Sequence, residues 1–373
     1  MRVLYVTDAL AIWGGIERIL VEKANYLADN YGYDVHFVTV NQGQHSVIFP
    51  ISNNVHYVDL DIRFHQQYVH RGFMRLFKRW QLKHLYVSRL RKYINSVKPD
   101  VILTARASLI FGILAIKGNV PLIFESHSLY IAYRYSYSRF PKLNKKILCR
   151  NVSHADMVVS LTEGDAIDWR KYTQRVCVIP NIVRLNNSGH YSDCKNKTVI
   201  FVGRFSPQKD IRSLLKIWNI IYHRHPDWSL RIYGGFGEEQ NQLVNEINSM
   251  NANIELCNPT SSIFEMYCQC SILILTSLFE SFGLVLPEAM SCGLPVVAFD
   301  CPYGPGDIIH DGIDGFLVEN RDVDLFADKV CLLMDNYDLR VKMGNEGIKS
   351  SSRYEDVKIM PRWIELFNSL KTK

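Results

Sequence analysis

The chain of 373 residues has no apolar run long enough to cross a bilayer. Its longest candidate, LIFGILAI at 109–116, is far short of the roughly 20 residues that a spanning helix needs. The opening MRVLYVTDAL puts Asp8 directly after a strand-like run and lacks the apolar core and cleavage site of a secretory signal, so a cytoplasmic location is expected. The nine cysteines are odd in number and scattered, with no Cys-x-x-Cys pair. Cys268-Gln-Cys270 lies in an apolar stretch and reads as buried thiols, not a zinc or redox site. No G-x-G-x-x-G dinucleotide fingerprint is present, no Asp-x-Asp sits in a metal-binding context, and no nucleic-acid recognition motif is visible. Acid is also missing from two long stretches. Residues 62–99 hold ten Lys and Arg and no Asp or Glu, and residues 128–150 hold six cations among five aromatics, again without an acid.

What is present is an ordinary globular composition, 47% hydrophobic and 21% charged, long enough for two domains with real cores. The net charge of +6 is unevenly placed: residues 1–181 carry a net +11 and the remainder a net −5. The first half is therefore expected to meet an anion or an anionic surface.

Hydrophobic periodicity gives the organisation. VLYVT (3–7) is a buried strand, WGGIERILVEKANYLADNYG (13–32) a glycine turn into an amphipathic helix, and DVHFVTV (34–40) the next strand. This β-loop-α-β unit predicts a parallel sheet. PDVILTA (99–105), PLIFESH (121–127), ADMVVSLT (155–162) and VCVIPN (176–181) continue it. Residues 182–197 are polar and aperiodic, as expected of a linker. The pattern then restarts with TVIFVGRF (198–205), a helix over 210–225, SLRIYGG (229–235), ILILTS (272–277), PVVAFD (295–300) and GFLV (315–318), and 354–371 is helical in character. The expectation is an α/β chain of two tandem doubly wound, Rossmann-like domains facing a cleft: an N-terminal domain 1–181, a linker 182–197, a C-terminal domain 198–353, and a final helix 354–373 packing back on the first domain. Ligands of such sheets bind beyond the carboxyl ends of the strands.

Four strand ends carry suggestive residues. Gly14-Gly15 precedes the first helix, either as a simple tight turn or as a place where an anion approaches backbone N–H groups. In GRFSPQKD (203–210), Arg204 and Lys209 are either surface cations or a pair suited to a pyrophosphate. YGGFGEE (233–239) is a glycine-rich turn. In FESFGLVLPEA (279–289), Glu280 and Glu288 bracket a Ser-Phe-Gly turn, with Pro287 expected to start a helix. Taken alone, those two acids read as a loop charge and a helix-start charge.

Taken together, the order strand-Gly-Arg-x4-Lys, glycine-rich turn, Glu-x7-Glu-Ala-Met and GPGDIIHDGIDGFLV (304–318) resembles the retaining, nucleotide-sugar-dependent group 1 glycosyltransferases of GT-B fold. The resemblance covers nearly the whole chain and is strongest over 198–320. It implies that Glu280 contacts the donor sugar, that Glu288 accepts hydrogen bonds from the ribose, and that backbone N–H groups of Phe282, Gly283 and Leu284 face sugar and phosphates. It assigns Arg204 and Lys209 to the pyrophosphate, Gly15 to a loop closing over pyrophosphate or acceptor, and places His127 near the reacting sugar. Catalysis would rest on Glu280, His127, Arg204 and Lys209, with a UDP-sugar as donor substrate, no cofactor and no metal. Cations and preorganised N–H donors would carry the charge growing on the leaving diphosphate. Ser281 departs from the family's usual glycine, Asp210 stands where glycine is common after the lysine, and LCNPT (256–260) leaves the base contacts unassigned.

RGFMRLFKRWQLKHLYVSRLRKYI (71–94) reads as one helix with Phe73, Leu76, Phe77, Trp80, Val87, Leu90 and Ile94 on an apolar face, and Arg71, Arg75, Lys78, Arg79 and Lys83 flanking it. Either it packs on its domain, or it lies on an anionic membrane. The expected reaction moves a hexose or N-acetylhexosamine to a growing, lipid-linked glycan at the inner face of the membrane, with no nucleic-acid partner. A nucleotide-sugar epimerase or sugar phosphorylase of the same fold is one competitor, and a non-catalytic nucleotide-sugar-binding protein the other.

Overall fold

A computed structural model describes residues 1–11, 14–127, 141–235, 240–250, 252–319 and 321–371. Most of the aromatic-basic stretch 128–150, the end of YGGFGEE and Trp13 lie outside the described residues. The chain divides into two compact units, Met1–Ile179 with Met360–Lys373, and Pro180–Ile359.

The first unit is built on a seven-stranded parallel sheet of order β3-β2-β1-β4-β5-β6-β7. Its strands are β1 (Arg2–Thr7), β2 (Asp34–Thr39), β3 (Val55–Asp59), β4 (Val101–Thr104), β5 (Leu122–Ser126), β6 (Met157–Ser160) and β7 (Val176–Val178). Helices α1 (Gly15–Tyr31), α2 (Gly72–Val97), α3 (Ala107–Leu114), α4 (Pro141–Val152) and α5 (Glu163–Arg170) connect them. The second unit has six parallel strands in the order β10-β9-β8-β11-β12-β13. They are β8 (Thr198–Arg204), β9 (Ser229–Gly235), β10 (Ile254–Cys257), β11 (Ile272–Leu275), β12 (Val296–Phe299) and β13 (Gly315–Val318). Strands buried on both faces need near-continuous apolar runs, which VLYV, VILT, ILIL and VVAF supply. Both units are Rossmann-like, and strand order reverses at β1/β4 in one and at β8/β11 in the other, the places where such sheets take ligands.

Two strands escape the sequence pattern. β3 and β10 are sheet edges, and both carry exposed residues between apolar ones. Their signal is correspondingly weak.

Helix α2 corrects the expected single apolar face. Its packed side chains are Leu82, Tyr86, Leu90, Ile94 and Val97, none of them in the first ten residues. Phe73, Leu76, Phe77 and Trp80 are exposed, Phe73 by 78%. At about 100° per residue, the exposed stripe is centred about 120° around the helix from the packed one. The same geometry puts Arg71, Arg75, Lys78 and Arg79 on the far side of the exposed stripe, not beside it. One helix therefore carries two apolar stripes, and only one is covered within the described residues.

A close approach governs the carboxyl ends of β8 and β9. Gly203 and Gly234 are register partners in β8 and β9, and a Cβ on Gly234 would lie 1.9 Å from the Gly203 carbonyl oxygen. Gly234→Ala is expected to push the two strands apart and cost about 1–3 kcal/mol or more. Urea unfolding measures the loss, and an unchanged midpoint would show that the strands tolerate the methyl group.

Candidate active site

In the second unit the chemistry-bearing residues gather at the β8/β11 reversal. β8 ends at Arg204, whose side chain is exposed. Pro207–Lys209 then makes a single 3-10 turn, and Asp210 follows in the left-handed region at φ 47°. That conformation explains why a glycine would be common there. Aspartate tolerates it and adds two bonds. Its carboxylate accepts from the Ser213 N–H at 3.3 Å, capping helix α6 (Ile211–Arg224), and it also binds the Arg321 guanidinium, which donates to Ser213 Oγ at 2.9 Å.

Lys209 turns back over Gly203. A Cβ on that glycine would come within 3.3 Å of the lysine's Cδ and Cε, so its absence seats the stem. The ammonium lies 2.6 Å from Glu280 Oε1, and Ser277 Oγ donates to the same oxygen at 2.6 Å. Both partners are largely withdrawn from water, with side chains 16% and 6% exposed. The loops carrying them are laced together as well. Leu278 N–H donates to the Gln208 carbonyl at 2.8 Å, Gln208 Nε2 to the Phe279 carbonyl at 3.0 Å, and Thr276 Oγ1 to the Lys209 carbonyl at 3.0 Å.

Beyond Glu280 the turn needs one glycine, and it is Gly283, at φ 91°. Ser281 does not adopt a positive φ, so a side chain there is tolerated. Gly304, at φ 79°, lies beneath: a Cβ on it would stand 2.3 Å from the Phe282 carbonyl oxygen. The Phe282 ring is buried edge-on against Tyr354, 5.1 Å between centroids, which leaves its backbone as the part able to meet a ligand. Among the described residues, the amides of Phe282, Gly283 and Leu284 donate to no protein oxygen. The following helix, α7 (Val285–Met290), begins at Val285 and not at the expected Pro287. Pro287 still falls in the first turn, where its missing N–H breaks no helical bond. Glu288 is buried in this helix.

In the first unit, His127 follows β5 directly and is buried. Its Nε2 lies 3.2 Å from Glu125 Oε1, at an angle too bent for a good hydrogen bond. Glu125 is also bound by Lys23 of α1, whose ammonium sits 4.1 Å over the Trp363 ring. Burial alone would raise the Glu125 carboxyl; Lys23 and His127 outweigh it and hold it at about 2. Burial simultaneously pulls the Lys23 ammonium down, so the pair returns less than Glu125 alone suggests. Gly15 is the first residue of α1. A Cβ on Gly14 before it would meet Glu17 Oε2 at 2.1 Å, so a side chain there would displace that carboxylate. Glu17 binds Arg106, two residues beyond β4, whose Nε is 3.7 Å from Asp8.

Thus Lys209 and Glu280 meet, while the sequence pattern alone missed Lys23, Glu125, Glu17 and Arg106. A signal for the first two existed. Lys23 interrupts the buried side of α1 beside Ala24 and Leu27, and Glu125 interrupts the apolar run LIFES. Arg71, Arg75, Lys78 and Arg79 sit together on the free end of α2, apart from both strand-end clusters in sequence.

The chain matches two family models side by side: Glycosyltransferase Family 4 over residues 13–187, and Glycosyl transferases group 1 over residues 187–350. It is a GT-B-fold, group-1-type nucleotide-sugar glycosyltransferase. It is 27% identical to the amylovoran biosynthesis glycosyltransferase AmsD of Erwinia amylovora, over 98% of this chain and 99% of that protein. It is 22% identical, over 96% of both chains, to the Campylobacter jejuni α-1,4-N-acetyl-D-galactosaminyltransferase named for a diNAcBac-PP-undecaprenol-linked acceptor. In fold it is similar to Staphylococcus aureus TarM in complex with fondaparinux, α-GlcNAc-glycerol and UDP, with a TM-score of 0.82 at 17% identity, covering 98% of this chain and 99% of that one.

The Lys23–Glu125 pair has a pH signature. The unfolded carboxyl takes its proton near 4.5 and the folded one near about 2. Between these values the unfolded state binds more protons, so the contribution is complete above about pH 5 and is lost as pH falls through the window. Glu125→Gln is expected to remove that slope and to cost about 3–5 kcal/mol by leaving Lys23 without its counterion. Chemical denaturation across pH reads both effects, and an unaltered pH slope would contradict the assignment.

Proposed function

We propose that this glycosyltransferase transfers a hexose or N-acetylhexosamine from a UDP-sugar, with retention, to a lipid-linked glycan at an anionic membrane surface. The observation that carries the donor site is the 2.6 Å contact of Lys209 with Glu280 at the strand-order reversal of the second sheet. In this reading Lys209 and Arg204 receive the diphosphate, Glu280 holds the sugar hydroxyls, and Glu288 holds the ribose. The amides of Phe282, Gly283 and Leu284 supply further donors where negative charge grows as the sugar–phosphate bond breaks. In the first unit, Gly15 and His127 stand at the strand ends, and Glu125, held by Lys23, places a negative charge beside the His127 ring. Uridine as the base is supported by the UDP in the TarM complex, and a polyprenyl-pyrophosphate acceptor by the name of the C. jejuni relative.

The first unit, by its charge, is the acceptor side. No helix among the described residues is long and apolar enough to cross a membrane. The exposed aromatic stripe of α2 and its cations instead suit a helix lying in the headgroup layer. Leu143 and Ile147 of α4 are exposed too, beside Lys145, Lys146 and Arg150, and both α2 and α4 pack on α3.

Two measurements test this. With a panel of UDP-hexoses and UDP-N-acetylhexosamines, UDP release is expected to rise on adding an undecaprenyl-pyrophosphate-linked oligosaccharide, and the new linkage to keep the donor's anomeric configuration. Lys209→Ala and Glu280→Ala are each expected to lower turnover by about 10²–10³-fold, the scale for one lost donor at a developing charge. Release of epimerised sugar, or an inverted product, would reject transfer with retention.

For the membrane, replacing Arg71, Arg75, Lys78 and Arg79 together by Gln is expected to weaken sedimentation with phosphatidylglycerol-rich vesicles by about tenfold, less than about 1 kcal/mol for each charge because these cations face away from the inserted aromatic stripe, across a helix about one Debye length wide. The wild-type binding should itself fall as salt rises. Unchanged binding by the four-fold variant would reject the docking role of α2.

A further inference from the structure

The N-terminal ends of the first sheet hold a cluster that glycosyl transfer does not use. β2 begins Asp34-Val35-His36 and β3 begins Val55-His56. The two-residue period of a strand puts Asp34 and His36 on one face while Val35 turns into the core. Parallel register then sets His56 directly beside His36. The two rings stack, 4.7 Å between centroids.

Both imidazoles aim the same atom at the same oxygen. His36 Nε2 lies 3.0 Å from Asp34 Oδ1, and His56 Nε2 lies 3.5 Å from it. All three atoms fall within 4.8 Å of one another. Zinc bonds of about 2.0–2.1 Å in a tetrahedron place neighbouring ligand atoms about 3.3 Å apart, so both separations match an edge of that tetrahedron. The surroundings orient the set. His36 Nδ1 is 3.0 Å from the Tyr93 hydroxyl, which fixes the ring and leaves Nε2 to face the cluster. Arg2 Nε donates to Asp34 Oδ2 at 2.7 Å, which turns Oδ1 inward. The same guanidinium is a nearby positive charge and sets the affinity below that of a closed, fully anionic cage. With His56 two-thirds exposed, the fourth position opens to water.

We infer that Asp34, His36 and His56 form a binding site for a divalent transition-metal ion of zinc type, which ties the edge strand β3 to β2. β3 is the outermost strand of its sheet, held by backbone hydrogen bonds from one side only, so a metal bridge there adds a second tie to β2. The site lies at the amino ends of its strands, away from the carboxyl ends where the transfer chemistry is placed, so its role is structural.

The test uses the untagged full chain, stripped of metal and titrated with Zn2+ by calorimetry and with Co2+ by absorption. We expect a Zn2+ site that raises the thermal midpoint, and a Co2+ spectrum at that site free of the thiolate-to-metal charge-transfer band that cysteine ligation produces. His56→Ala, a change at an exposed side chain, is expected to weaken Zn2+ by about tenfold or more and to abolish the thermal shift. Asp34→Asn should do the same, with the fold checked by circular dichroism. No Zn2+ binding by the wild type, or equal affinity in His56→Ala, would overturn the site and leave the cluster as a hydrogen-bonded group alone.

Discussion

The bond between Lys209 and Glu280 organises the second unit's strand ends. It joins the turn after β8 to the turn after β11, the two strands that flank the reversal of the sheet. Neither charge is well solvated, so each depends on the other, and losing either would strand a buried charge. Several features serve that contact. Gly203 clears a path for the lysine stem, Ser277 shares the glutamate oxygen, and the Gln208 and Thr276 bonds keep the two loops in register. Asp210 anchors the far side through Arg321 and the cap of α6. The lysine is thus oriented by the protein's own groups, and in the proposed donor role a diphosphate would compete with Glu280 for an ammonium already in place. A preorganised cation of this kind needs little rearrangement as charge develops, which is where electrostatic catalysis draws its strength.

How far the sequence discloses this depends on burial. Strands covered on both faces announce themselves, because ILIL or VVAF permits little else. β3 and β10 do not: like β7 and β13 they are edges, but each also carries exposed residues inside the strand, which breaks the apolar run that made the other two legible. The glycines at 203, 234, 283 and 304 are visible in the sequence, yet the reason for each is a contact with a distant residue or a backbone angle. The departures at 281 and 210 show the difference. The first falls where no positive φ is needed, and the second where one is needed and aspartate supplies it with two side-chain bonds added. The Lys23–Glu125 pair was signalled only as two charges in apolar company, since their meeting spans 102 residues.

α2 shows most plainly what periodicity leaves out. A run of aromatic and aliphatic residues at helical spacing is read as a core face, and for Leu90 and Ile94 it is one. Phe73, Leu76, Phe77 and Trp80 follow the same spacing and face solvent. Scattered exposed apolar residues are normal, but four on one side of successive turns form a continuous apolar stripe, the kind of surface that suits a partner. The packed second half of the helix matters to that surface. By fixing the helix axis against the sheet through Tyr86, Leu90 and Ile94, it presents the first half already ordered. A peptide that folds only at the membrane must pay for its own ordering there; this one has that cost met by the core, so its aromatic side chains and cations bring their full contribution to whatever they meet.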